Sequence, residues 1–300
     1  MSSVASVKDR LSNKSKETGK TMQEMLTLYG LERTIYRLSV SEYKEHFTLK
    51  GGIFLYAVYE GDYARATTDI DLRAENISND IDDMKKVFDK IFSIETDDPL
   101  RFDLSSLKVN SITEFKRYSG VNVSIDAYLD RTRIDVSIDI GFGDVIVPEK
   151  VEMEFPTVLT DERPLVYSYS VSSSIAEKFE AVVSLAYDNS RLKDYYDIYV
   201  LATTKDFDGM ELQDAISETF KYRKTSLDEI VAFERGFADD SLRQSRWNAF
   251  IKKKKALISV TLEETIHTME AFLEPVAEAI KSNLQFTGKW DHEEGKWELR

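Results

Sequence analysis

The sequence contains no cysteine and only three histidines. Without cysteine, the chain can form neither a disulfide framework nor a thiolate metal site. The histidines, His46, His267 and His292, are too far apart in the sequence to indicate a zinc site. A cytoplasmic location is compatible with these absences.

A long apolar run is also missing. A helix needs roughly 20 apolar residues to cross a bilayer, and no stretch approaches that length. The first residues, "MSSVASVKDR", lack the apolar core and the small cleavage residues of a secretory signal. We therefore expect a soluble, unexported, cytoplasmic protein that has no contact with a membrane.

Basic residues are outnumbered, with 40 Lys and Arg against 54 Asp and Glu, so the formal net charge is -14. Binding of phosphates requires concentrated Lys and Arg, so any nucleic acid must meet a local basic patch. The dense basic run is "KKKK" at Lys252 to Lys255, near Arg243 and Arg246. It could receive an RNA backbone, or it could form the solvated face of a helix.

What the chain does contain is enough apolar material for a core, 42% of 300 residues. Helical spacing covers about Val4 to Leu38, with Gly19 and Gly30 as expected breaks. Strand, helix and strand patterns follow from Phe47 to Ile146, and they end in an antiparallel hairpin formed by "VNVSIDAYLD" and "RIDVSIDIGFGDVIV".

From Ser172 onward nearly every segment has helical spacing. We expect a domain of residues 1 to 160, with its helical N-terminal segment, and a helical domain of residues 161 to 300. Ser174 and Glu177 have the spacing of a capping box at the first of these helices. The polar tail "GKWDHEEGKWELR" is expected to be loosely ordered.

Two carboxylates stand one residue apart in "RATTDIDLR", at Asp69 and Asp71. On a strand, residues i and i+2 point to the same face, so the two side chains project together. Two such carboxylates repel each other, and a hard divalent cation such as Mg²⁺ would allow both to stay ionised. The alternative is a pair of solvated aspartates on an exposed strand face.

A Gly-Gly pair precedes them in "LKGGIF", where Gly51 and Gly52 open a helix. A helix N-terminus without side chains in the way offers free N–H groups to phosphate oxygens. A third carboxylate could come from Asp135 or Asp139, which share one face of the later strand "RIDVSIDIGFGD". Gly-Gly, D-x-D and a later strand Asp together match the layout of the nucleotidyltransferase superfamily, whose catalytic domain is similar to that of polymerase β.

A narrower resemblance runs through most of the chain. Five blocks occur in the order found in the AbiEii/AbiGii toxin family: "YRLSVSEYKEHFTLKGG", "RATTDIDL", "VSIDIGFGDVIVP", "AEKFEAVVSLAYDNSRLKDYYDIYVLA" and "RWNAFIKKK". The resemblance implies an α+β fold: a polymerase-β-like mixed sheet domain with a helical N-terminal segment, followed by an α-helical C-terminal domain.

The resemblance also implies site residues. It assigns Asp69, Asp71 and Asp139 to the metal, with Asp135 as the substitute for the third position. Gly51, Gly52 and Thr67 are expected at the triphosphate, joined by Lys178, whose acidic partner is Asp194. Asp197 is expected at the ribose or base. From the residues alone, Lys178 could equally lie on a solvated face, and Asp194 and Asp197 could form a local salt-bridge network.

The implied reaction is nucleotidyl transfer from an NTP with Mg²⁺ as cofactor and release of pyrophosphate. The implied acceptor is the 3′ end of tRNA, so that the toxin inhibits growth or aborts phage infection, and a cognate antitoxin is the implied partner. Two alternatives stay open. The acceptor could be a hydroxyl of a protein or a small molecule, or the chain could be an inactive module that binds nucleotide or antitoxin.

Overall fold

The computed structural model describes residues 3–112, 120–160, 162–253 and 258–298. The chain forms two compact units, one of Met1–Asp144 with Val151–Tyr169 and one of Val145–Lys150 with Ser170–Arg300. The helices of the first unit are α1 (Val4–Thr18), α2 (Met22–Ser39), α3 (Gly51–Val58) and α4 (Ile81–Phe92). Its strands are β1 (Phe47–Lys50), β2 (Ile70–Ala74), β3 (Arg101–Ile112), β4 (Gly120–Leu129), β5 (Thr132–Phe142), β6 (Val151–Glu154) and β7 (Leu165–Ser168).

These strands form one seven-stranded sheet in the order β3-β4-β5-β2-β1-β7-β6. The pairs β2–β5 and β1–β7 are parallel, and the other neighbouring pairs are antiparallel. The sheet is therefore mixed, as the sequence predicts, and the expected α+β class is confirmed. The expected hairpin is confirmed as β4 and β5, and the strand, helix and strand before it as β1, α3 and β2.

Alternating burial along the hairpin separates its two faces. Ile134, Val136, Ile138 and Ile140 of β5 are each about fully buried, at 1% exposure, while the residues between them are half-buried or exposed. Successive side chains of a strand point to opposite faces, so the apolar set forms the core. The other face of the same strands carries polar groups, including Asp139.

Helix α2 packs on this sheet at Gly30, which was expected to break the helix. That expectation is wrong: α2 is continuous from Met22 to Ser39. A Cβ atom at position 30 would lie 2.8 Å from Cγ2 of Ile134, closer than real contacts allow. Glycine is needed here for a close approach of helix to sheet. Gly19 does end α1, with a φ of 68°.

A buried acid on the same helix also holds a distant loop. Glu32 is 1% exposed, and its Oε2 accepts a hydrogen bond from the backbone N–H of Val158 at 2.6 Å. Burial raises the pKa of Glu32 to about 7 from its ordinary value of 4.5. The neighbouring Arg33 and Arg37 pair with Asp98 at 2.8 and 3.0 Å, so this part of the first unit contains several buried charges.

The second unit is mainly helical, as the sequence predicts. Its helices are α5 (Val171–Leu185), α6 (Leu192–Ala202), α7 (Gly209–Arg223), α8 (Ser241–Lys253) and α9 (Leu262–Lys281). The strands β8 (Phe207–Asp208), β9 (Lys289–Asp291) and β10 (Lys296–Glu298) form a small sheet in the order β10-β9-β8. Among the described helices, none is both long enough and apolar enough to cross a membrane.

Two further expectations for this unit are wrong. The predicted capping box at Ser174 lies inside α5, because the helix begins at Val171 and Ser170 caps it by accepting from the N–H of Ser173. The C-terminal segment is not loose up to residue 298: Trp290 is 1% exposed and donates its Nε1–H to the carbonyl of Ala202 at 2.7 Å. Tryptophan burial with a satisfied indole N–H anchors the β9–β10 hairpin.

Candidate active site

The turn from β1 into α3 is built around Gly51. Its φ of 66° lies in the left-handed region, which favours glycine. A Cβ atom at this position would overlap the carboxylate of Asp71. Glycine therefore serves two purposes: it allows the turn, and it lets the Asp71 side chain lie directly against the start of the helix.

The next residue, Gly52, opens space for two polar side chains. A Cβ atom at Gly52 would lie 3.1 Å from Oγ1 of Thr67 and 3.2 Å from Nη2 of Arg65. Both side chains are buried, at 6% and 8% exposure. The first turn of α3 thus has a hydroxyl and a guanidinium beside its backbone N–H groups, which carry partial positive charge.

Four polar side chains stand at facing positions of four neighbouring strands. The register pairs Lys50 of β1 with Asp71 of β2, Asp71 with Asp139 of β5, and Asp139 with Asn122 of β4. Facing residues direct their side chains to the same side of a sheet. We call these four residues the polar row.

Asp69 joins the row from the residue just before β2, since the strand begins at Ile70. Carboxylate oxygens of Asp69, Asp71 and Asp139 all lie within 4.8 Å of one another, and the three residues are half-buried. Three anionic oxygen donors this close match the ligand preference of a hard divalent cation. The chemistry and spacing of the donor set therefore fit such an ion.

Asp135 lies elsewhere. The contact of β2 with β5 begins at Ile138, so Asp135 has no neighbour on β2. Its side chain is 73% exposed and pairs with Arg133 at 2.7 Å. Of the two candidates for the third carboxylate, the fold brings Asp139 to the Asp69 and Asp71 pair.

The sequence interpretation missed several polar groups of this site. Lys50 donates from Nζ to Oδ2 of Asp144 at 2.6 Å, and both side chains are largely buried, at 15% and 10% exposure. Lys50 directly precedes the glycine pair and Arg65 comes two residues before Thr67, so both lay inside the quoted motifs. Asn122 is distant in sequence, and only strand pairing brings it to Asp139.

A second cluster, within the other unit, contains Lys178 of α5 with Asp194 and Asp197 of α6. The Lys178 ammonium is 2.7 Å from Oδ2 of Asp197 and 3.5 Å from Oδ1 of Asp194. The three side chains are 9%, 2% and 0% exposed. A solvated lysine is therefore the wrong interpretation, and the two aspartates do form a local salt-bridge network.

Arg191 extends the Lys178 cluster, because its Nε–H donates to Oδ2 of Asp194 at 2.7 Å. Tyr195 and Tyr196 between the aspartates are 2% and 0% exposed, so they belong to the core. The described contacts of Lys178 are with these acids; its role at a triphosphate stays a prediction.

The basic run is only partly described. Lys252 is exposed near the end of α8, whereas Lys254 and Lys255 lie outside the described residues. The hypothesis that this run receives an RNA backbone stays a prediction.

Comparison with known protein families assigns the chain to one of them. Residues 33–273 match the family model described as "Nucleotidyl transferase AbiEii toxin, Type IV TA system". The chain belongs to the AbiEii nucleotidyl transferase toxin family. The match spans both clusters, and it confirms the family expected from the five sequence blocks. The AbiEii-family chain is thus a nucleotidyltransferase of the kind found in type IV toxin-antitoxin systems.

One solved structure supports the fold, and a second one shows similarity alone. A candidate nucleotidyltransferase from H. pylori is 13% identical, with a TM-score of 0.51, over 87% of this chain and 96% of that one. JHP933 from Helicobacter pylori is 14% identical, with a TM-score of 0.45, over 86% and 94% of the two chains. A comparison with curated protein sequences finds no significant match.

Proposed function

We propose that this AbiEii-family protein transfers a nucleotide from an NTP to the 3′ end of tRNA, releasing pyrophosphate, and thereby inhibits growth or aborts phage infection. The observation that carries the proposal is the group of three carboxylates, Asp69, Asp71 and Asp139, beside the glycine turn that opens α3. A module that only binds nucleotide has no need for three acidic groups held within 4.8 Å of one another.

Mg²⁺ is the proposed cofactor, held by Asp69, Asp71 and Asp139. It prefers oxygen ligands and commonly binds through carboxylates together with substrate phosphates. When bound, such an ion polarises the α-phosphate and neutralises charge that develops on the transferring group. The three carboxylates contribute by holding their oxygens within 4.8 Å of one another, at the central strands β2 and β5, before any ligand arrives.

The triphosphate is proposed to lie at the start of α3. The backbone N–H groups after Gly51 point out of the helix end, and anions bind favourably there. Arg65 and Thr67 lie against Gly52, so they add a guanidinium and a hydroxyl to the same place. Lys50 adds a second cationic side chain, which is held by Asp144. These groups would orient the α-phosphate for in-line attack and stabilise the departing pyrophosphate.

The Lys178 cluster is proposed to serve the same reaction, with Lys178 on the triphosphate and Asp194 as its acidic partner. Asp197 is assigned to the ribose or base. Support comes from the family match, which covers these residues, and from the burial of the ion pairs. A surface lysine would not be enclosed by two carboxylates of a neighbouring helix.

Two partners complete the proposal. The acceptor RNA is assigned to the basic run Lys252 to Lys255, because phosphate neutralisation supplies most non-specific affinity for nucleic acid. A cognate antitoxin is the second partner, since the family is one of toxin-antitoxin systems. Co-purification of this protein with the antitoxin tests whether the two proteins bind each other directly.

The test is incubation of the purified protein with total RNA, Mg²⁺ and each α-labelled NTP in turn. Label in the tRNA fraction, removed by a 3′ exonuclease, is the expected result. If the label appears in protein or in a small molecule added from a lysate, that labelled molecule replaces tRNA as the acceptor. No label in any fraction, with NTP binding intact, would favour an inactive nucleotide-binding module. Asp71→Asn serves as the matched inactive control.

A further inference from the structure

Asn122 lies beside the proposed metal ligands, on the far side of Asp139 from Asp71. The sheet order is β4-β5-β2, so strand β5, which carries Asp139, lies between Asn122 on β4 and Asp71 on β2. Asn122 and Asp139 face each other in the register of β4 and β5. The amide Nδ2 donates to Oδ1 of Asp139 at 2.7 Å and to Oγ of Ser137 at 3.0 Å. Asn122 therefore touches one of the three carboxylates directly, through its only donor group.

The presence of asparagine at this position is not explained by strand formation. Its neighbours Val121 and Val123 are strong strand formers and are 3% and 0% exposed, whereas asparagine is depleted in strands. An ionised carboxylate only accepts hydrogen bonds, and the amide NH₂ group is what it requires. The amide donor at this position is matched to the accepting Oδ1 of Asp139.

The hydrogen bond fixes the orientation of the carboxylate. A carboxylate on a strand can rotate about its last bond unless one oxygen is held, and Asn122 holds Oδ1 of Asp139. Groups that hold metal ligands in this way typically change metal affinity or activity by about 10- to 100-fold when removed.

We propose that Asn122 is a positioning residue that orients the Asp139 carboxylate for divalent-cation binding. The inference rests on the proposed function, because it takes Asp139 as a ligand of the catalytic cation. Asn122 acts through Asp139 and is assigned no contact with the nucleotide or the acceptor.

The test measures Mn²⁺ binding to the purified protein without substrates, by calorimetry or by the electron paramagnetic resonance signal of free Mn²⁺. Asn122→Ala and Asn122→Val each remove the donor, and valine keeps a residue that strands favour. Both are expected to weaken Mn²⁺ binding by about 10-fold or more at an unchanged thermal midpoint. In the transfer assay, the Mn²⁺ concentration for half-maximal rate should rise, while KM for the NTP at saturating Mn²⁺ stays the same.

Two controls separate positioning from folding. Ser137→Ala removes the other acceptor of Asn122 and leaves Asp139 its donor, so Mn²⁺ affinity should equal wild type. The exchange Asn122→Asp with Asp139→Asn keeps an amide beside a carboxylate, but it moves the charge one strand away, about 4.8 Å. This exchange should retain the thermal midpoint and still lose Mn²⁺ binding.

Each outcome decides one point. Wild-type Mn²⁺ affinity in both Asn122→Ala and Asn122→Val would overturn the positioning role and leave the proposed function standing. Weakened affinity in Ser137→Ala, equal to that of the Asn122 variants, would also overturn it. A wild-type protein that binds no Mn²⁺ would overturn the metal site of the proposed function, and the inference with it.

Discussion

Replacement of Lys178 by alanine is the perturbation whose outcome differs most between the possible roles of this residue. The ammonium is 9% exposed and lies 2.7 Å from an Asp197 carboxylate that is 0% exposed. Asp194 is held separately by Arg191 at 2.7 Å, so it keeps a partner when Lys178 is removed. The variant thus leaves a buried Asp197 charge without the cation at 2.7 Å.

The magnitude follows from that burial. Removing one partner of a buried ion pair costs about 3 to 5 kcal/mol, because the attraction within the pair no longer offsets the burial of the remaining charge. A lysine on a solvated face would cost within about 0.5 kcal/mol. For a unit of this size, each kcal/mol lowers the thermal midpoint by about 3 °C, so the expected loss is roughly 10 °C or more.

The assay is thermal and urea unfolding of Lys178→Ala beside a matched surface variant. Lys221 belongs to the same unit, is 76% exposed and pairs with Glu218 at 3.2 Å. Lys221→Ala should change stability little, since exposed pairs contribute about 0 to 1 kcal/mol. The double variant Lys178→Met with Asp197→Asn removes both charges, and it should recover most of the lost stability.

The double variant also tests function without the folding defect. Because the double variant also removes Asp197, which is assigned to the ribose or base, a fall in NTP binding or turnover would support a role at the nucleotide for the Lys178–Asp197 pair. The expected fall is about 10- to 100-fold for each charge-assisted hydrogen bond of about 1.5 to 3 kcal/mol that is lost. Wild-type kinetics in a folded double variant would restrict Lys178 to a structural role. A thermal midpoint of Lys178→Ala equal to that of wild type would refute the buried-pair argument itself.

Three further predictions concern other parts of the chain. Substitution to asparagine at any one of Asp69, Asp71 and Asp139 should abolish transfer and Mn²⁺ binding without lowering the thermal midpoint, since one repelling charge is removed; near-native turnover would exclude that residue. Because the pKa of Glu32 is raised from 4.5 to about 7, its protonated form stabilises the fold below pH 4.5, and that stability is lost as pH rises through 7. Glu32→Gln should therefore be more stable than wild type at pH 8 by up to about 3 kcal/mol but close to it at pH 5, measured by urea unfolding, and equal differences at both pH values would contradict the assignment. Neutralising Lys252 to Lys255 together should weaken RNA binding and make it less dependent on salt, while NTP binding stays unchanged. An unaltered salt dependence would mean that these lysines form a solvated helix face.

Local patterns determined much of the fold in advance. The hairpin β4–β5 follows from strict alternation of apolar and polar residues, and the strand, helix and strand around Gly51 follow from a glycine pair between two short apolar runs. Strand β3 was missed because its residues alternate poorly: most of the positions from Arg101 to Ile112 are exposed or half-buried. The strands β6 and β7 are only four residues long, too short for a periodic signal.

Helix ends and glycines depended on tertiary contacts. Glycine often marks a break in a helix, yet α2 continues through Gly30, because Ile134 of the sheet occupies the space that a side chain at position 30 would need. The C-terminal segment is polar in sequence, but Trp290 is buried and Trp297 is half-buried, and each donates its indole N–H to a helix carbonyl. In both places, contacts with residues distant in the sequence outweigh the local pattern.

The candidate site also has parts that the sequence predicts and parts that only the tertiary structure shows. The sequence alone determined the D-x-D pair and the glycine turn, because residues one or two apart share a face or a helix end by local geometry. Only the tertiary structure decided between Asp135 and Asp139, since the choice depends on where β2 begins to pair with β5. It also decided that Lys50 and Asn122 lie in the polar row and that Lys178 is buried against Asp197. These contacts join residues that lie 17 or more positions apart in the sequence, and register and helix packing, which depend on the whole core, bring them together.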